Sequence, residues 1–125
     1  MEKQRIRIKK YDWLVDIFYF PSKNDIPCIM NEMFINGASY DSLDNVACQL
    51  CQRNNGCAYT NPYSRYTILV IGKVTSIGRF FDTLVHELNH LCSAIEKAYG
   101  IDPHGEEASY LIGDVAMQII EDKTF

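Results

Sequence analysis

His86 and His90 stand four positions apart in the stretch Val85-His86-Glu87-Leu88-Asn89-His90, with Glu87 directly after the first histidine. On an α-helix that spacing puts both imidazoles on one face, one turn apart. Two ring nitrogens can then reach a single zinc ion at about 2 Å. Glu87 is offset by about 100° around the helix, which sets its carboxylate beside the ion and not on it. From there it can take a proton from an attacking water and hand it to a leaving amine. This is the mechanical content of a His-Glu-x-x-His pattern. Three fixed positions also occur in helices that hold no metal, so the reading turns on a third ligand: a catalytic zinc site uses three protein ligands and keeps one position for water.

Downstream candidates are His104, Glu106, Glu107 and Asp114. Helical periodicity separates the two glutamates. Glu106 falls in line with Ser109, Tyr110, Gly113, Met117 and Ile120, a small or apolar stripe that lets two helices approach. Glu107 falls in line with Leu111, Asp114, Gln118 and Glu121, which reads as a solvent stripe. Glu106 is therefore the expected third ligand and Glu107 the alternative. A compact metzincin continuation would need Gly at 93 and His at 96; the chain has Ser93 and Glu96. His104 then reads as a surface residue or as a proton donor near the cleft.

The elements that must position these residues are legible in outline. Residues 4–20 are rich in β-branched and aromatic side chains and read as a strand or a hairpin bent near Lys9–Asp12. Within it, Arg5-Ile6-Arg7-Ile8-Lys9 alternates as a strand with one solvated face. The aromatic run Trp13–Phe20 reads as core. Residues 21–25 form a turn, and 26–37 are ambiguous. Ser39 is the expected cap of a helix to about Arg53, stopped at Asn54-Asn55-Gly56. A short extended piece and a turn cover 57–64. Residues 65–73 form a continuous apolar run of strand length. Thr75 or Ser76 caps the metal helix, which runs to about Tyr99 with Gly100 after it, and Glu106 to about Glu121 is the last helix. The expectation is a single α+β domain over residues 1–125.

At 125 residues, 47% hydrophobic and 22% charged, the chain can build a core without disulfides. Residues 1–10 carry five basic side chains against one acid, while the remaining 115 carry seven against fifteen. So acidic a body argues against nucleic acid as a partner. No apolar run reaches membrane length, and MEKQRIRIKK lacks an apolar region behind its charges, so neither a membrane partner nor a secretory signal is expected. The five cysteines are an odd number, consistent with reduced thiols in the cytoplasm. Cys48, Cys51 and Cys57 fall short of a four-ligand structural zinc site and read as buried or half-buried thiols.

His86-Glu87-Leu88-Asn89-His90 followed by Glu106, with Tyr110 four residues on and Gly113 seven on, resembles the gluzincin class of zinc metallopeptidases. The stretch from Gly105 to Gly113 is also similar to small metallopeptidase-like proteins of bacteriophages and prophages. The resemblance spans roughly residues 66–122. It implies a minimal zincin-like domain, a small twisted sheet over the metal helix. It also implies Zn2+ on His86, His90 and Glu106, with Glu87 as general base and Tyr110 or His104 stabilising the oxyanion. Gluzincins carry an acid where this chain has Tyr110; Asp82, Asp114 or a backbone carbonyl would have to orient a histidine instead. The class binds extended peptides by strand addition along an edge strand, for which Tyr66–Lys73 or its neighbour is the candidate. A phage origin would place the chain in a bacterial host's cytoplasm. The alternative reading is a non-catalytic, zinc-stabilised binding module or a phage structural or accessory protein. The sequence carries no signal for an oligomeric state.

Overall fold

The computed structural model describes residues 1–51 and 56–122. Strand β1 (Glu2–Ile8) and strand β2 (Trp13–Tyr19) form a hairpin, the second of the two expected arrangements, joined by a 3-10 turn at Lys9–Tyr11. Asp12 closes that turn in the left-handed conformation. Helix α1 (Ile26–Ile35) occupies the ambiguous stretch, started by Pro27 in its first turn. Helix α2 (Tyr40–Cys51) follows Ser39, whose hydroxyl accepts from the Ser42 amide. The expected end of that helix at Arg53, and the stop at Asn54-Asn55, lie outside the described residues.

Strand β3 (Gly56–Asn61) and strand β4 (Tyr66–Ile71) complete a four-stranded mixed sheet in the order β1-β2-β4-β3. β2 and β4 run parallel, and both hairpins are antiparallel. β4 is buried along its whole length, as its apolar run requires. It is an interior strand; the edge next to it is β3, the extended piece at 57–64, so the neighbour of Tyr66–Lys73 is the edge.

Helix α3 (Ile77–Tyr99) is capped by Ser76, which accepts from the Arg79 amide, and ends at Gly100 with φ of 67°. Helix α4 (Glu106–Asp122) closes the fold. The sheet is sandwiched: α1 and α2 cover one face through Ile29, Met33 and Val46, while α3 and α4 cover the other through Leu84, Leu88, Leu91, Ile95, Leu111 and Val115. The architecture is thus α+β with a small mixed sheet and four helices. Among the described residues no helix is long and apolar enough to cross a membrane. Helical periodicity sets Phe81 in line with Leu84, Leu88, Leu91 and Ile95, yet it is 47% exposed. Cys48 and Cys51 are exposed, neither buried nor half-buried, because α2 turns them away from the sheet.

One charge interrupts the apolar run of β2. Asp16 is fully buried, and it holds Arg5 of β1 by two hydrogen bonds of 2.7 and 2.9 Å while the Tyr66 hydroxyl donates to it at 2.6 Å. The basic face of β1 is therefore paired and not merely solvated: Lys3 meets Glu32 and Arg7 meets Asp12. Burial by itself would raise the Asp16 carboxyl; the Arg5 and Tyr66 hydrogen bonds and the Lys3 charge outweigh it and hold the group below its ordinary value. A depressed carboxyl adds stability above the unfolded-state pKa of about 4, and that stability is lost as pH falls through the folded-state value. Asp16→Asn should lower the unfolding free energy by about 2 kcal/mol at pH 7, since Arg5 can rehydrate while two charged hydrogen bonds are lost. Denaturant titrations at pH 7 and pH 3 check this: the wild type should lose more stability across that interval than the variant.

Candidate metal centre

α3 brings His86, Glu87 and His90 together. The Nε2 atoms of the two histidines lie 3.2 Å apart. Two nitrogens bound to one tetrahedral ion at about 2.05 Å would be separated by about 3.3 Å, so the pair is spaced for a shared ion. Oε1 of Glu87 is 3.9 Å from Nε2 of His86. Among the described residues these three form the only group of potential ligands whose donor atoms lie within 4.8 Å of one another.

The two kinds of residue sit differently. His86 and His90 are exposed, whereas Glu87 is 3% exposed and points at the sheet edge. Among the described residues its Oε2 is buried with no hydrogen-bond partner. Burial raises the Glu87 carboxyl above its ordinary value, opposed in part by the charges of His86 and His90. An orphaned buried carboxylate oxygen is costly unless something meets it. A proton, or a water held at the histidine pair, would.

Glu87 is admitted because β3 presents small residues to α3. A Cβ on Gly56 would fall 2.7 Å from the Val70 carbonyl oxygen, 2.9 Å from Thr83 Cγ2 and 3.2 Å from Glu87 Cγ. Ala58 and Thr60 continue that face. Together with Gln49 of α2, Cys57, and His86, Glu87, His90 and Ala94 of α3, these residues line an open cleft of about 560 Å3. The Cys57 thiol, buried under the sheet edge near Glu87, is pushed up to about 12 and stays protonated at neutral pH.

The residues expected from α4 do not join this group. The side chains of Gln4 and Gln118 donate to the Ile119 and Arg7 carbonyls, which ties α4 along β1, at the sheet edge opposite β3. The stripes of α4 are also inverted. Glu107 faces the β1–β2 turn, accepting from the Tyr11 hydroxyl at 2.7 Å and pairing with Lys10 at 3.4 Å. Glu106 and Tyr110 face solvent, with Tyr110 67% exposed. His104 is exposed in the α3–α4 loop, its amide donating to Asp102. Among the described residues, neither Asp82 nor Asp114 hydrogen-bonds a histidine of the pair. Sequence reasoning missed Gly56, Thr60 and Gln49; the alternation of small residues in Gly56-Cys57-Ala58 was the one signal for the first.

Searches against family models, curated proteins and solved structures returned no match to this chain.

Gly56→Ala should lower the unfolding free energy by about 1–3 kcal/mol, because the clash involves a backbone oxygen that cannot rotate away. Guanidinium unfolding checks this. A Gly56→Ala protein as stable as wild type would show that β3 does not hold α3 this closely.

Proposed function

We propose that the chain is a zinc-dependent peptidase with a zincin-like arrangement, in which His86 and His90 hold the ion and Glu87 is the general base. The observation that carries this reading is the convergence of two histidine nitrogens 3.2 Å apart beside a buried carboxylate with one oxygen that meets no hydrogen-bond partner among the described residues. A purely structural zinc site has no use for a carboxylate held just off the ion. When bound, zinc supplies Lewis acidity, lowering the pKa of a water to about 7 and polarising a carbonyl.

The chain's own residues supply the remainder. Successive turns of one long helix fix the two imidazoles relative to each other. Glu87, desolvated against Gly56 and Thr83, has a raised proton affinity that suits it to accept a proton from water and return it to the leaving amine. In this reading an extended peptide pairs with the outer backbone of edge strand β3 along the cleft, which the position of β3 at the end of the strand order supports. Glu106, the ligand that the gluzincin resemblance implies, sits at the other edge of the sheet, so the ligand set proposed is the histidine pair with its further positions open. That leaves the set one protein ligand short of a catalytic site and two short of a structural one, and zinc binding without turnover is the second reading.

Protein purified without added metal should carry about one zinc per chain by elemental analysis, and His86→Ala should lose it. Glu87→Gln should keep the zinc and cleave an unstructured protein substrate at least about 100-fold more slowly than wild type. Wild-type protein that takes up no zinc sinks the metal site. Zinc uptake without hydrolysis leaves the binding module standing in place of the peptidase.

A further inference from the structure

A chain of hydrogen bonds runs under the cleft and has a fixed direction. The indole Nε1 of Trp13 donates to Thr67 Oγ1 at 2.9 Å, and Thr67 Oγ1 lies 2.8 Å from Thr60 Oγ1. Trp13 and Thr67 are fully buried. Thr60, directly opposite Thr67 in the β3–β4 register, is half-buried and lines the cleft with His86, Glu87 and His90.

An indole N–H can only donate, so Thr67 must accept there. The Thr67 hydroxyl has one proton, and among the described residues Thr60 Oγ1 is its only other partner. If Thr60 donated instead, the Thr67 proton would be buried with no acceptor, at a cost of about 1–3 kcal/mol. Thr67 therefore donates to Thr60. The Thr60 hydroxyl accepts from behind with one lone pair, and its own proton is left for the cleft. Each bond in such a chain strengthens the next.

We propose that Thr60 is a substrate-binding residue: its hydroxyl donates to a ligand oxygen bound beside His86 and His90, in the peptidase reading the carbonyl oxygen of the peptide. Thr67 and Trp13 are positioning residues that orient that donor. This rests on the metal-centre reading and adds to it a donor from the strand side of the cleft, facing the helix that carries the histidines.

Trp13 is the only tryptophan, so its indole N–H gives a single proton resonance at the far end of the chain. The test titrates the zinc-loaded full-length protein with acetohydroxamate, a small ligand that binds zinc through oxygen. The expected result is a shift of the Trp13 indole signal on binding, abolished in Thr67→Val. The dissociation constant should rise about tenfold in Thr60→Val, the effect of one hydrogen bond, and return to within about twofold of wild type in Thr60→Ser. The serine variant keeps the hydroxyl and so separates lost donation from disturbed packing. If the hydroxamate moves the His86 and His90 ring signals while the indole signal stays fixed and Thr60→Val binds as wild type does, the inference is overturned and the metal centre stands. If wild-type protein binds neither zinc nor hydroxamate, the metal centre falls and the inference falls with it.

Discussion

Glu87 can be buried because Gly56 has no side chain. The contact between them fixes how closely α3 lies on the sheet edge, and most of the site's character follows from that distance. A wider gap would let water solvate the carboxylate, returning its proton affinity to the ordinary range. The histidines would also lose their wall, since the cleft exists only where β3 and α3 converge. A backbone atom, the Val70 carbonyl, forms the far side of this contact. The interior strand β4 is therefore the anvil against which edge and helix are set.

The sheet separates two kinds of polar chemistry. On the α1 side, Asp16 is met by Arg5 and Tyr66, so its charge is compensated and it serves adhesion between β1, β2 and β4. On the α3 side, Glu87 is left short of partners among the described residues. Both are buried carboxylates, yet hydrogen bonding holds one below its ordinary proton affinity and desolvation holds the other above. A satisfied buried acid belongs to the scaffold; an unsatisfied one marks where the scaffold expects company.

Much of the frame was legible in the chain. The alternation Arg5-Ile6-Arg7-Ile8 reads directly as β1, and Ser76 and Gly100 bracket α3 because capping is local chemistry. The histidine pair was equally local, since one turn of helix defines it. The facing of α4 was not legible. Its more apolar stripe, headed by Glu106, turns to solvent, because which side packs inward is decided by Tyr11 and Gln4, about a hundred residues earlier in the chain. Gly56 read as a helix stop, although its reason is a close approach to Val70, Thr83 and Glu87. The pairing of Thr60 with Thr67 was invisible for the same cause: register across β3 and β4 depends on a turn whose exact residues the pattern left open.

The open edge has a second consequence, for the protein in concentrated solution. An unpaired strand border is a template for any extended chain, and the next identical molecule is the nearest supply. Natural sheets blunt such borders by keeping them short, polar or irregular. β3 is six residues long, begins with glycine and ends with threonine and asparagine, so it offers few rungs and little grease. The opposite border, β1, is longer, but it carries Lys3, Arg5 and Arg7 and is strapped by α4. The molecule thus guards one margin with charge and a helix, and the other with brevity and polar ends, which leaves the margin where the cleft opens the less guarded of the two.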